Sequence, residues 1–405
     1  MASHQPTFDD IPISALQPSP TREPAPPQSH ISPPERPNLF SILCDALGGD
    51  ISQIAVPVFF NEPISFLQRL AEDIEYHHLL DKAAQPHLAA TPDRAALVAA
   101  FIVSQYASTA DRASKPFNPL LGETYELVLP HRGIALIAEQ VSHHPPVSAI
   151  FVKGNGWTYH TALQVKSNMS VNSIEAWPEG TVHIHFDNSD HFMFEKPHTY
   201  VNNLFIGNTW IDNAGKIIVR NHKFITTINM KRASTLPFRE RKGLGQLTGS
   251  IVSATAKSRT LRTIKGNWTS HVSVDGRRLW QVTPRPPSSH TTFTKLSAWA
   301  WHLNSPLASR NCISLPKTDS RRRPDQRALE QGNHALASSE KSRLECEQRD
   351  RRKNHHQGNK LVQPRWFELR HEPATGRKEW KYRQHYFHAK NNASAEWPHD
   401  HPDIF

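Results

Sequence analysis

Residues 123 to about 282 constrain the fold more than any other part of the chain, because short runs with alternating apolar residues follow one another there at close intervals. Within residues 180–186, Val182, Ile184 and Phe186 alternate with threonine and histidine. A period of two places these side chains on one face of a β-strand. Further runs with strand character are 147–152, 162–166, 200–206, 216–219, 224–230, 247–254 and 279–282. Many consecutive strands with few helices between them predict an antiparallel sandwich or barrel, and a large barrel can enclose a ligand cavity.

The segments on either side of this region have helical patterns. Apolar residues at helical spacing predict a short helix over 38–47, a second from 63 to about 83 and a third from 92 to about 106. A charged stretch from 327 to about 353 favours another helix, whereas the last fifty residues are expected to be irregular. The predicted class is therefore mainly β with helical additions.

Composition separates an N-terminal tail from the rest of the chain and indicates a compartment. Ten of the 32 prolines precede residue 38, and large apolar residues are few there, so residues 1–37 are expected to be disordered. A secretory signal and an apolar run of about 18 residues are both missing. Three widely spaced cysteines argue for a reducing compartment, and the chain is expected to be cytosolic.

The basic character of the chain narrows its partners. The net charge of +10 suits an anionic partner, either nucleic acid or acidic lipid headgroups. No helix-turn-helix, zinc-finger or RNA-binding motif accompanies the charge, which argues against nucleic acid, and a solvated basic face is the alternative interpretation of any single basic cluster. Nucleophile elbow, P-loop, dinucleotide fingerprint and His-Glu-x-x-His are also missing, so the chain is expected to be neither an enzyme nor dependent on a cofactor.

The octet 139–146 carries two adjacent imidazoles, His143 and His144, followed by Pro145 and Pro146. Neighbouring side chains in a regular strand point to opposite faces, so both rings face one target only where the backbone is irregular. The two prolines end or bend the strand at that point. The pair is then able to donate hydrogen bonds to an anion such as a phosphate. A metal site and two ordinary surface histidines are the alternatives, and a metal site needs further ligands.

Two other segments offer charge for such an anion. Residues 115–126 contain two prolines and a glycine that fix a loop, with Lys115 at its start and Asn118 within it. Further on, Lys341, Glu345 and Arg349 recur at intervals of four residues on one side of the predicted helix. A solvated lysine and an ordinary charged helix are the alternative interpretations of these two segments.

The octet and the loop resemble the signature motifs of the oxysterol-binding-protein-related family. Other stretches also resemble it, in order along the chain: 57–63, 201–204, 210–213, 318–320 with 323–325, and 402–405. The similarity spans about residues 38–405 and implies a short, fungal-type member without a pleckstrin-homology domain. It implies a large incomplete antiparallel β-barrel around an apolar lipid tunnel (116–283), a lid (38–49), a helical segment (50–115) and a C-terminal helical subdomain (284–405). Residues 230–242 and 288–317 depart from the family pattern.

The resemblance implies non-enzymatic exchange of lipids between membranes, with transient peripheral attachment to anionic surfaces. The ligands it implies are phosphatidylinositol 4-phosphate (PI4P) and commonly a sterol, with phosphatidylserine as the alternative second lipid. The implied headgroup residues are Lys115, Asn118, His143, His144, Lys341, Glu345 and Arg349. The implied lid residues are Phe40, Leu43 and Leu47. Two further hypotheses are a lipid sensor that docks an adaptor through the Pro-rich tail, and a metal-dependent lipid hydrolase using His143 and His144.

Overall fold

The computed structural model describes nine segments of the chain: 57–112, 114–204, 208–234, 243–256, 259–285, 296–304, 315–355, 363–392 and 403–405. The predicted tail (1–37), the predicted lid (38–49) with Phe40, Leu43 and Leu47, and much of 288–317 lie outside these segments. Those expectations therefore stay predictions.

Seven α-helices lie in the described segments, and none of them is both long and apolar enough to cross a membrane. They are α1 (Phe66–Ala71), α2 (His78–Ala83), α3 (Pro92–Ser104), α4 (Ala298–Leu303), α5 (Pro324–Glu330), α6 (His334–His355) and α7 (Tyr386–Asn392). Helix α3 begins where the sequence predicts a helix, because the Thr91 hydroxyl accepts the Arg94 N–H and Pro92 occupies the first turn. Two shorter helices, α1 and α2, occupy the segment 63–83, where the sequence predicts one helix. Likewise α5 and α6 occupy the segment predicted as one helix over 327–353, and Gly332, with φ of +77°, separates them.

Eighteen β-strands make up the rest of the regular structure in the described segments. In the first half of the chain they are β1 (Asn61–Ser65), β2 (Lys115–Phe117), β3 (Thr124–Leu129), β4 (Ile134–His143), β5 (Pro146–Lys153), β6 (Trp157–Ser170), β7 (Ser173–Glu179), β8 (Thr181–Phe186) and β9 (His191–Glu195). In the second half they are β10 (His198–Asn202), β11 (Trp210–Arg220), β12 (Phe224–Met230), β13 (Gln246–Ser253), β14 (Thr260–Asn267), β15 (His271–Val274), β16 (Arg277–Gln281), β17 (Phe367–Glu372) and β18 (Arg377–Tyr382).

Fourteen strands form one antiparallel sheet, as the alternating pattern predicts. The path runs β16-β15-β14-β13-β12-β11-β10-β7-β6-β5-β4-β3. A second route, through β8 and β9, also joins β6 to β11. Strands β3 and β16 are the two ends of the path, and within the described segments they do not pair with each other. The sheet is therefore large and open, and α1, α2 and α3 pack with its inner face in the main hydrophobic core.

One expectation about the flanking segments is wrong: the last fifty residues are not irregular, because β17 and β18 form an antiparallel hairpin there. The segments expected to be helical, 50–115 and 284–405, contain the seven α-helices of the described residues. The first also contains β1, which pairs with β2, and the second contains the hairpin. In that hairpin charged residues occupy most of the outward positions, so apolar alternation is too weak to show it.

Candidate functional site

A cavity of about 740 Å³ lies against the sheet. Its sheet wall comes from alternate residues of β5, β6, β7, β10 and β11: Ser148, Leu163, Val165, Ser167, Ile174, Ala176, Pro178, Thr199, Val201 and Ile211. The register places Ser148 opposite Leu163, and Ser167 opposite Ala176, so neighbouring strands contribute side chains at the same level. Because side chains alternate between the two faces of each strand, as predicted, those on one face together form a mostly apolar wall.

The octet is the tip of the β4–β5 hairpin, as the sequence predicts. Strand β4 ends at His143 and β5 begins at Pro146. The register between the two strands is irregular between Gln140 and Ser142. Strand β4 ends between the two imidazoles, because His144 already belongs to the turn, so regular alternation does not force the rings to opposite faces. Both rings line the cavity, and their centroids are 4.7 Å apart.

Other octet residues hold the hairpin in place. The Glu139 carboxylate is buried and accepts the Arg365 N–H at 2.7 Å and the Trp366 N–H at 2.9 Å. Burial raises the pKa of Glu139 to about 7, although these backbone donors lower it. Val141 packs in a hydrophobic cluster with Trp366. The first half of the octet is therefore structural, and it fixes the point at which the histidines emerge.

The loop 115–126 lines the cavity with Lys115 and Asn118. Its first residues form β2, and the Asn61 amide donates to the carbonyls of Lys115 (3.1 Å) and Pro116 (3.2 Å). Gly122, which is buried near the end of the loop, has φ of +80° and so occupies a conformation that glycine adopts without strain.

Buried charges fasten the loop from below. The Arg323 guanidinium donates to the Asn118 carbonyl and to the Glu123 carboxylate, both at 2.8 Å, and to Asp325 at 2.7 and 3.0 Å. The Ser320 hydroxyl donates to Glu123 at 2.6 Å. Residues 318–325 therefore support the loop and do not line the cavity.

Helix α6 contributes Glu345, Gln348, Arg349 and Arg352 to the cavity lining. Lys341 lies outside that lining: its ammonium donates to Asn61 Oδ1 at 3.0 Å and lies 5.8 Å from the centre of the Phe117 ring. Burial lowers the pKa of Lys341. The cavity thus brings together six of the seven predicted site residues, and Asn61 links Lys341 to Lys115.

Gln348 is a residue that the sequence analysis missed. Its Oε1 accepts the Leu121 N–H at 2.8 Å, and its Nε2 donates to His143 Nε2 at 2.8 Å. His143 Nε2 is therefore an acceptor and its proton lies on Nδ1. Burial, followed by the charges of His144 and Arg352, lowers the pKa of His143 to about 4, so the ring is neutral at pH 7.

A spacing rule could have identified Gln348 and Arg352. Glu345, Gln348 and Arg352 are separated by three and four residues, which keeps them on one face of a helix. A strict interval of four residues, as in Lys341, Glu345 and Arg349, drifts about 40° around the helix at each step. The drift explains why Lys341 lies beside the cavity while the later residues line it.

Further polar side chains lie in another part of the cavity wall. The Gln105 amide and the Tyr106 hydroxyl are buried and have no partner at close hydrogen-bond distance within the described segments, although the Gln105 amide lies near enough to the Tyr159 hydroxyl to influence its pKa. Burial raises the pKa of Tyr106 well above its ordinary value, so the side chain remains a neutral phenol. Lys196 and Asp73 also line the cavity and form an ion pair of 2.5 Å. None of these residues stood out in the sequence.

Comparison with known proteins gives consistent matches along the chain. The family model described as oxysterol-binding protein matches residues 38–391. Oxysterol-binding protein-related protein 2B of Arabidopsis thaliana is 37% identical over 379 residues, which cover 91% of this chain and 52% of that protein. Oxysterol-binding protein-related protein 7 of Homo sapiens is 37% identical over 355 residues, which cover 85% and 40% respectively. The chain spans about half the length of these relatives or less.

Solved structures match over almost the whole chain. The Osh1 ORD domain in complex with ergosterol is 30% identical to this chain, and the two superpose with a TM-score of 0.83. The match covers 98% of this chain and 97% of the Osh1 chain. The Osh3 ORD from Saccharomyces cerevisiae in complex with PI(4)P is 30% identical with a TM-score of 0.80, and covers 94% and 99%. The expected fold class is thereby confirmed.

Proposed function

We propose, from the premise that this chain belongs to the oxysterol-binding protein family, that it binds PI4P and a sterol in turn in the cavity and carries them between membranes. The observation that supports this most is the division of one cavity into an apolar wall and a cationic mouth. A lipid tail left in water costs about 25 cal/mol for each Å² of apolar surface, so a carrier must enclose it. The chain then acts by binding, without catalysis.

The cavity mouth suits the headgroup of PI4P. Lys115, Arg349 and Arg352 supply positive charge for its phosphates. His143 is neutral and carries its proton on Nδ1, so it offers one N–H without the cost of burying another cation. His144 is exposed and completes the pair.

Glu345 and Asn118 complete the proposed headgroup site. Both line the cavity next to the cations, and a carboxylate and an amide are suited to the inositol hydroxyls. Lys341 supports the site through Asn61, whose amide holds the Lys115 carbonyl. In this arrangement Lys341 sets the position of β2 and adds positive potential from behind it.

The mostly apolar wall of the cavity favours a sterol over phosphatidylserine as the second lipid. A sterol carries one hydroxyl on a rigid apolar body, and Gln105 and Tyr106, which line this wall, are the residues that we expect to pair with that hydroxyl. Phosphatidylserine brings an ammonium, a carboxylate and a phosphate, and burying those charges needs several partners.

Membrane contact is expected to involve the basic surface and the N-terminal segment. A net charge of +10 favours transient attachment to anionic leaflets. The lid residues Phe40, Leu43 and Leu47 are proposed to cover the cavity during passage through water and to open at the membrane. The Pro-rich tail remains a proposed docking segment for an adaptor.

The test of the headgroup site is the double variant His143→Ala with His144→Ala in liposome extraction assays. A hydrogen bond to a charged group contributes about 1.5–3 kcal/mol, so the loss of two should weaken PI4P binding by about 3–6 kcal/mol. PI4P extraction should therefore fall at least a hundredfold. Sterol extraction should persist. The matched control, His87→Ala with His371→Ala, removes two exposed imidazoles outside the cavity and should extract both lipids. Retained PI4P extraction by the first variant would remove the headgroup assignment.

The test of the sterol is the reciprocal variant, Gln105→Leu with Tyr106→Phe. Sterol binding should weaken by about 1–3 kcal/mol for two lost neutral hydrogen bonds, and PI4P extraction should be unchanged. If the variant binds sterol as well as the unmodified protein does, the sterol hydroxyl is recognised elsewhere.

A transfer assay between liposomes distinguishes a lipid carrier from a lipid sensor. A carrier should move many lipids per protein molecule, whereas a sensor should not.

A further inference from the structure

Four histidines form a cluster on the outer face of the sheet, away from the cavity. They are His160 on β6, His183 and His185 on β8, and His191 on β9. The register pairs His160 with His183, and His185 with His191. The intervening residues Val182 and Ile184 point into the main core, so the histidines share the opposite face. This is the alternation of histidine with apolar residues noted in the sequence.

The imidazole rings lie within a few ångströms of one another. The ring centroids of His160 and His183 are 4.6 Å apart, and those of His185 and His191 are 3.9 Å apart. His183 is fully buried, and the other three are half-buried. Strand propensity alone does not explain four neighbouring histidines, because an apolar residue or a threonine would suit each of these strand positions as well.

The β17–β18 hairpin covers this cluster and faces it with charged groups. Glu379 of β18 lies 2.8 Å from His183 Nε2, and the Thr375 hydroxyl donates to the other Glu379 oxygen at 2.7 Å. Glu372 of β17 pairs with Lys381 of β18 beside them. The hairpin is held on the sheet by the stacked rings of Phe151 and Tyr382, 4.6 Å apart.

The ring nitrogens of the cluster lie close together, and one of them is unpaired among the described residues. His183 Nε2 donates to the Glu379 carboxylate, so His183 Nδ1 is the acceptor of the 2.9 Å bond from His191 Nε2. His160 Nε2 is buried and has no hydrogen-bond partner in the described segments. An imidazole nitrogen with a free lone pair is a common ligand of transition-metal ions.

We propose that His160, His183 and His185 bind a divalent transition-metal ion of the zinc class. Their ligand nitrogens lie within 4.8 Å of one another. Zn–N bonds of about 2.0–2.1 Å in a tetrahedral site require nitrogens about 3.4 Å apart, so the widest separation must shorten by about 1.4 Å. The three rings stack nearly parallel in the ion-free chain, with interplanar angles of 5°, 6° and 8°, and binding therefore requires them to rotate so that their lone pairs converge. The lone pair of His183 Nδ1, which accepts the Nε2–H of His191 in the ion-free chain, binds the ion instead, so no proton is released. A water molecule supplies the fourth ligand of the tetrahedral site.

Glu379 acts as a positioning residue for this site. Its carboxylate holds the far nitrogen of His183, which is the usual arrangement behind a metal-bound histidine. Because Glu379 belongs to β18, the bound ion would fasten the C-terminal hairpin to β6 and β8. Imidazole ligands favour Zn²⁺, Cu²⁺ or Ni²⁺ over Mg²⁺ or Ca²⁺.

Titration of the full chain with Zn²⁺, and with Co²⁺ as a spectroscopic probe, tests this site. One equivalent of Co²⁺ should give the visible absorption of a tetrahedral nitrogen site, and Zn²⁺ should abolish that absorption. His160→Gln with His185→Gln should lose the signature and bind Zn²⁺ at least a hundredfold more weakly. The matched control, His87→Gln with His131→Gln, removes two exposed imidazoles outside both the cluster and the cavity, and it should bind Zn²⁺ as the unmodified chain does.

Two further measurements exclude misfolding as an explanation. Sterol extraction by the His160/His185 variant should be unchanged, since both residues lie outside the cavity. Glu379→Gln, which keeps the shape of the side chain, should weaken Zn²⁺ binding about 10- to 100-fold. Equal Zn²⁺ affinity of the cluster variant and the unmodified chain, or no tetrahedral Co²⁺ absorption in the latter, would overturn the proposal.

Discussion

Arg323→Met should destabilise the protein strongly, because it removes one buried cation from two buried carboxylates. The side chains of Arg323, Glu123 and Asp325 are at most 2% exposed, and their ion pairs measure 2.8 and 2.7 Å. Removing one partner of such a buried set costs about 3–5 kcal/mol, because a desolvated charge is left behind. With an unfolding entropy of about 2.1 cal/mol/K per residue, a chain of 405 residues then loses about 4–6 °C in Tm.

The matched control is Arg343→Met on α6. Arg343 also pairs with two carboxylates, Glu340 and Glu347, both at 2.7 Å, but its side chain is 41% exposed. Exposed pairs contribute about 0–1 kcal/mol, so this variant should unfold almost as the unmodified protein does. The assay is urea unfolding of both variants followed by circular dichroism.

The Arg323→Met variant should also show a characteristic pH dependence of stability and a selective loss of PI4P extraction. Burial raises the pKa of Glu123 and Arg323 opposes that rise. Without Arg323 the carboxylate takes up a proton more readily, so the deficit in stability should be smaller at pH 5 than at pH 8. The loop also loses the donor to the Asn118 carbonyl, so PI4P extraction should fall more than sterol extraction. Equal unfolding midpoints for Arg323→Met and Arg343→Met would refute the reasoning.

Three other variants test separate parts of the molecule. The folded protein holds the Glu139 proton more tightly than the unfolded chain, with a pKa of about 7 against an ordinary 4.5, so stability should fall by about 3 kcal/mol as pH rises through that range. Glu139→Gln should remove this slope in pH-dependent urea unfolding, and a slope that persists would assign it to another group. Gln348→Leu loses its bonds to Leu121 and His143, so PI4P affinity should drop about tenfold with sterol affinity unchanged, whereas equal loss of both lipids would indicate a general disturbance. Ala176→Trp places an indole in the cavity wall and should block both lipids with little change in Tm, and normal extraction would show that the lipids lie elsewhere.

Local patterns were sufficient for the sheet and for the hairpin that carries His143 and His144. Period-two alternation and two consecutive prolines act through neighbouring residues, so strand β12 and the end of β4 lie where the sequence predicts them. Alternation was not sufficient for β17 and β18, whose exposed faces are charged. Their position depends on packing against β5 and β6, which lie more than two hundred residues away in the chain.

The sequence by itself determined the residue types of the site: two histidines at a strand end, a lysine on a rigid loop and a charged helix. It also determined the family resemblance that joined them. Only the tertiary structure decided that Gln348 joins the helix to His143, that Lys341 lies behind the cavity, and that Gln105 is buried in the cavity wall. The reason is physical: helix and strand periods fix the direction of a side chain within its own element. Hydrogen bonds and burial depend instead on how distant elements pack.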